Sequence, residues 1–190
     1  LSGNALTNVQ VIFRQLPKVG GDIHYGSRLV FAVDKTLFVT LGERGTDDPA
    51  APGIDNAQSL ANHLGKVVRI ARDGQVPAAN PYVGVAGAQP EIWSRGHRNP
   101  QGAALNPFSG ELWLNEHGPQ GGDEINRVQA TCNYGWPVKS CGCPYGASPG
   151  VGCQVGGGMH RPNYEEPLEV WVPFSTAPSG MMFYTGDNFP

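Results

Sequence analysis

Between Gly96 and Pro137 the chain gathers most of the side chains that could do chemistry. Three polar, glycine-rich loops follow one another there: Gly96-His97-Arg98-Asn99-Pro100-Gln101-Gly102, then Glu116-His117-Gly118-Pro119-Gln120-Gly121-Gly122-Asp123-Glu124-Ile125-Asn126, then Asn133-Tyr134-Gly135-Trp136-Pro137. Together they offer an arginine that stays charged, oxygens suited to a hard cation, and imidazoles able to take a proton near neutrality. Each also has a plainer use. Arg98 before Asn99-Pro100 reads as a turn residue with a surface ion-pair partner, and Asp123-Glu124 as an exposed acidic turn. His97 and His117 match no zinc-ligand spacing and are left as loop and pocket-lining residues. Upstream, His24 stands alone in His24-Tyr25-Gly26-Ser27-Arg28-Leu29, where a lone histidine more often bonds a loop.

The segments between these loops are too short and too β-like for helices, so the polar groups fall where strands end. A weak repeat supports this. Gly26-Ser27-Arg28-Leu29-Val30-Phe31 leads through Asp34-Lys35 to the alternating run Thr36 to Gly42. Gly102-Ala103-Ala104-Leu105 leads through Pro107-Phe108-Ser109-Gly110 to Glu111 to Glu116, and Gly180-Met181-Met182-Phe183-Tyr184 opens a third copy. Glycine-opened strands closed by turn residues predict hairpins. Gly65 to Ile70 and Glu124 to Val128 supply further strands, with Val68 and Ile70 on one face and Arg69 on the other. Small sheets repeated radially, each covering its neighbour's apolar face, are the economical architecture; the spacing exceeds the ~40–50 residues of common propeller blades, but long connections accommodate that.

In 190 residues, 39% hydrophobic composition suits one core or part of a larger one. The 27 glycines and 17 prolines mark turn-rich folded β rather than disorder. A net charge of −3, with basic residues scattered, gives no reason to expect nucleic acid as a partner. No apolar run reaches the ~18 residues needed for a transmembrane segment. The chain reads as a piece of a longer one, whose exposed sheet edges would invite association into a homodimer.

These motifs, with Gly42-Glu43-Arg44-Gly45 and Pro178-Ser179-Gly180-Met181, resemble the soluble glucose/sorbosone dehydrogenase family, in particular its aldose sugar dehydrogenase branch. The resemblance implies an all-β, six-bladed β-propeller of which residues 1–190 form a partial domain of two to three blades. It implies oxidation of an aldose sugar to a lactone with pyrroloquinoline quinone (PQQ) and calcium, electrons leaving to an external acceptor. His24 is then the general base and a cofactor neighbour, and Arg98 the cation that stabilises charge on the quinone. Asn99, His117, Gly118 and Pro119 line the cofactor. The carbonyls of Gly118 and Pro119 would hold the catalytic calcium; Glu124 and the Tyr134 carbonyl would hold a second, structural one. Calcium-dependent lactonases and non-catalytic binding propellers share the architecture and remain alternatives.

The stretch from Lys139 to Gly158 departs from the family as a glycine- and cysteine-rich insertion. Cys132, Cys141, Cys143 and Cys153 are read as two disulfides rather than a zinc knot, which suits a periplasmic or secreted protein. All three connectivities remain open, with Cys141 to Cys143 disfavoured by strain.

Overall fold

A computed structural model describes residues 3–50, 53, 55–150 and 152–189. Eight strands form two four-stranded antiparallel meanders. The first contains β1 (Gly26–Phe31), β2 (Leu37–Leu41), β3 (Lys66–Ile70) and β4 (Ile92–Arg95), and the second β5 (Pro100–Leu105), β6 (Leu112–Glu116), β7 (Asp123–Val128) and β8 (Glu169–Trp171). One 3-10 turn at Val155–Gly157 is the single helical element among the described residues.

Register decides which side chains meet. β2 against β3 sets Leu37 opposite Ile70 and Val39 opposite Val68, so these residues share a face, which Phe13 covers. The alternate residues Phe38 and Val67 point the other way and pack against Ala103, Leu112, Leu114 and Val128 of the second sheet. β2 is therefore buried along its whole length. Its alternation separates two cores rather than core from solvent. Arg69, on the face of Phe38, pairs with Asp34 and lies 4.9 Å from the Trp93 ring.

On β6 and β7 the same logic puts Leu112 opposite Val128, Leu114 opposite Asn126 and Glu116 opposite Glu124. The apolar end of that face packs on the first sheet; its far end holds two buried carboxylates.

The hairpins expected from the repeat form as read. Two outer strands were not expected: β4 has four residues and β8 three, too few to show a period. The third copy differs. Met181 to Tyr184 is not a strand, because it finds no ladder partner among the described residues. Instead this segment lies across the outer face of the second sheet, where Phe183 meets Trp113 edge-on at 5.3 Å and Asn115 Nδ2 donates to the Ser179 carbonyl at 3.0 Å.

Lys66 ties the long β2–β3 connection to the sheet. It is fully buried, and its Nζ donates to the carbonyls of Asn56, Ala57 and Leu64. Burial pushes its pKa down to about 7, opposed by the charge of Asp47. Lys66→Met is expected to strand those carbonyls and cost roughly 3 kcal/mol or more. A denaturant midpoint within error of the parent's would contradict this role.

Candidate functional site

The chain just before β1 carries His24 in a left-handed conformation, φ 52°. A non-glycine residue holds that conformation only where its surroundings enforce it. The Arg44 N–H donates to the His24 carbonyl at 3.2 Å, and Arg44's guanidinium bonds the carbonyls of Gly21 and Ile23. Gly42 is essential to the approach: a Cβ there would stand 2.0 Å from the His24 oxygen. At the end of β2, the fully buried Glu43 presents Oε1 to His24 Nδ1, while its Oε2 accepts the N–H groups of Thr46 and Asp47 at 2.6 and 3.0 Å. A carboxylate anchored this way fixes the imidazole's orientation and commits Nδ1, so any proton exchange with a ligand falls to Nε2.

Arg98 enters from the β4–β5 turn. Its N–H donates to Glu116 Oε2 at 2.8 Å; Nη1 donates to the carbonyls of Gly118 and His117 at 2.9 and 3.2 Å, and Nη2 to the Tyr145 hydroxyl at 3.2 Å. Its guanidinium carbon lies 5.2 Å from the Trp136 ring, and its buried Nε has no partner. The surface ion pair considered for it is absent: Arg98 is 6% exposed and bonded to carbonyls. His24, Arg98, Asn99, His117, Gly118 and Pro119 all line one open cavity of about 540 Å³, within the range of small-molecule sites. A second hollow of about 310 Å³ adjoins it, walled by Asp47, Pro49 and Trp136 and sharing His24, Arg98 and Tyr145.

His97 is not pocket-lining. It is fully buried, stacked on Tyr134 at 4.6 Å, with Nε2 2.9 Å from Ser94 Oγ and Nδ1 2.9 Å from Glu116 Oε1. This has the connectivity of a nucleophile triad, but Ser94 is fully buried too, so the array serves to place Glu116 and thereby Arg98.

Behind Arg98, Glu116 and Glu124 flank a void of about 10 Å³ that Gly118, Gly122 and Tyr134 also line. Burial pushes both carboxyls up. For Glu116 the neighbouring His97 and the hydrogen bonds from His97, Arg98 N–H and Asn126 outweigh it, and the pKa falls below the usual range. Glu124 receives less support, and burial with the charge of Glu116 lifts it to about 8. Asn126 Oδ1 and His160 Nε2, the latter 3.8 Å from Glu124 Oε1, are buried without partners. Asp123 is buried as well, so neither residue is the exposed acidic turn of the plainer reading. Its Oδ1 accepts the Gly118 N–H, and Oδ2 accepts the Ser175 hydroxyl and the N–H groups of Thr176 and Ala177.

The cysteines form one disulfide, Cys143 to Cys153, rather than two. Cys132 and Cys141 remain thiols because each is set among different neighbours: Cys132 Sγ lies 3.5 Å from Glu165 Oε1, and Cys141 Sγ 4.0 Å from His160 Nδ1. The Cys143–Cys153 bond takes two of the four sulfurs that a zinc knot would need. Sequence reasoning missed Glu43, Glu116, Tyr145 and His160. The first two lie inside quoted motifs; the others carry no local signal.

A family model described as Glucose / Sorbosone dehydrogenase matches residues 1–190. Aldose sugar dehydrogenase YliI of Escherichia coli (strain K12) is 44% identical over 185 residues, covering 97% of this chain and 47% of that protein. The apo-form crystal structure of the soluble aldose sugar dehydrogenase from Escherichia coli superposes with a TM-score of 0.84 at 42% identity, over 97% of this chain and 49% of that one. The PQQ-bound aldose sugar dehydrogenase from Streptomyces coelicolor superposes with a TM-score of 0.64 at 32% identity, over 89% and 41%. The chain thus spans about half the length of the curated relatives it matches.

Asp123 gives the site its acid sensitivity. Burial raises its pKa, but the hydrogen bonds from Ser175, Ala177, Gly118 and Thr176 prevail and depress it below 3.8. Its stabilisation is present above that ordinary value and is lost as pH falls through the lower folded value. Asp123→Asn is expected to lose about 1–2 kcal/mol at pH 7 and less as the pH drops below about 3.8. Urea denaturation at pH 7 and at pH 3 checks this; equal losses at both would count against it.

Proposed function

This chain belongs to the glucose/sorbosone dehydrogenase family, and from that premise we propose that it forms part of a PQQ- and calcium-dependent aldose dehydrogenase. The observation that carries the reading is His24, held by a buried Glu43, on the same cavity as the charged fork of Arg98. In this reading the two sheets are blades of a six-bladed ring, of which residues 1–190 supply part.

The cavity's donor set suits the quinone. A planar, anionic cofactor calls for a cation with fixed geometry and amide donors, and Arg98, Asn99 and His117 line one wall. PQQ, when bound, supplies an electrophilic carbonyl that accepts the C1 hydride of the sugar. The chain's own work is to hold and move the proton. His24 Nε2 takes it from the sugar's C1 hydroxyl, and Glu43 at Nδ1 stabilises the imidazolium that results. Arg98, pinned by two carbonyls, meets developing negative charge without having to reorganise.

Calcium fits in two places. The carbonyls of Gly118 and Pro119 are hard ligands at the cavity, where it would act as a Lewis acid. Glu124 with the Tyr134 carbonyl would hold the second ion. There Glu124 faces Glu116 across the sheet with an orphaned Asn126 oxygen nearby, an arrangement that asks for a dication. The Cys143–Cys153 disulfide favours a periplasmic or secreted setting. No helix among the described residues is long and apolar enough to cross a membrane.

The test is titration with PQQ in calcium, followed by an aldose and a dye acceptor, on this chain and on the longer protein that contains it. Saturable quinone binding and dye reduction are expected. His24→Ala should abolish turnover, and Glu43→Gln should lower it by about 10²-fold or more with quinone affinity retained. Absence of quinone binding in both proteins would overturn the assignment.

A further inference from the structure

We propose that Tyr145 is a positioning residue for Arg98, and that the Cys143–Cys153 disulfide exists to hold Tyr145 in place. This rests on the reading of Arg98 above for its functional meaning, but its geometry stands apart from it.

The contacts close a circuit. Arg98 Nη1 donates to the carbonyl of Gly118, at the start of the turn that runs through Gln120. Gln120 pairs with Cys143 in both directions, N–H to carbonyl at 3.1 and 3.0 Å, and its Nε2 donates to the Ala147 carbonyl at 2.6 Å. Between those anchors a turn closed by the Ala147 N–H on the Pro144 carbonyl projects Tyr145 back over the cavity, where its hydroxyl receives Arg98 Nη2 at 3.2 Å. The guanidinium is thus gripped at one nitrogen by the Gly118 carbonyl and at the other by a loop fastened to the same turn. The ring centroid lies 5.9 Å from the guanidinium carbon, so charge and ring also attract.

Nothing in the loop's own composition would keep it there. Residues 144–150 include two glycines and two prolines and none that is buried, and Tyr145 is 72% exposed. An exposed aromatic ring on a glycine-rich loop loses considerable freedom when ordered, and a crosslink across ten residues removes most of that freedom in advance. The disulfide ties Cys143 to Cys153 on the far side of the loop, so opening it would leave the segment that carries Tyr145 on its hydrogen bonds to Gln120 alone and loosen it, while leaving the Gly118 contact intact.

Tyr145→Phe removes the hydroxyl and keeps the ring; a Cys143→Ser, Cys153→Ser double variant removes the crosslink and keeps the tyrosine. PQQ affinity in calcium is expected to fall roughly threefold to tenfold for Tyr145→Phe. In an Arg98→Gln background the same change should have no effect, because the partner is gone. Nitrogen-15-labelled arginine gives a readout independent of the quinone. The Arg98 side-chain signals, assigned by their loss in Arg98→Gln, should show faster guanidinium rotation in Tyr145→Phe, at an unchanged unfolding midpoint, and in the double-serine variant, whose midpoint falls with the loss of the crosslink. Unchanged Arg98 signals in Tyr145→Phe would overturn the proposal, as would an equal loss of affinity with and without Arg98. If the parent protein binds no PQQ, the functional reading fails while the arginine signals still decide the positioning.

Discussion

Two carboxylates facing each other across neighbouring strands set the terms for the rest of this structure. The register of β6 and β7 leaves Glu116 and Glu124 side by side on a buried face. Like charges in that arrangement repel, more strongly as the surroundings become less polar. The fold meets this unequally. Glu116 is surrounded by donors from His97, the Arg98 backbone and Asn126, whereas Glu124 has Asn126 and little else among side chains. The donors that satisfy Glu116 are the residues that deliver Arg98 to the cavity, so the same constraint that strains the interior positions the site.

The molecule uses one chemical pairing in two settings. His24 with Glu43 and His97 with Glu116 are both imidazole–carboxylate contacts at Nδ1. The first faces the cavity and has its second ring nitrogen uncommitted within the chain; the second is sealed in the core and spends Nε2 on Ser94. Access, rather than residue type, separates a histidine that a ligand can reach from a scaffold element. The loops that flank them follow the same division: the 118–122 turn is tied by Asp123 to the segment at 175–177, and the 42–47 turn by Glu43 to its own backbone.

Much of the fold was legible because period-two patterning and turn residues survive in the longer strands. β2, β3, β6 and β7 are read within a residue or two of their observed ends. β4 and β8 were not, since three or four residues carry no period. The strand expected at Met181 to Tyr184 shows that pattern without a partner yields only an extended segment. At the site, the six residues that the motifs assigned to the cofactor, His24, Arg98, Asn99, His117, Gly118 and Pro119, all line the main cavity, yet the motifs gave no role to Glu43 or Glu116, whose significance depends on what the fold brings beside them. Tyr145 and His160 were out of reach for a simpler reason: one arrives from the insertion and the other from just beyond it, and both act across tens of residues. The cysteine count was right about oxidation and too generous about number, because spacing says nothing of which side of a turn a sulfur occupies.

Lys66 has a bearing on how the cavity wall responds to its surroundings. Its ammonium sits among three carbonyl oxygens, the kind of nest in which another protein would seat a sodium or potassium ion. Because this cation is covalently leashed to β3, it cannot be exchanged, diluted or chelated. The connection that includes Asp47, and with it one side of the hollow beside His24, is therefore held by a cation that belongs to the chain itself. Dialysis against a chelator has no ion to take from that nest.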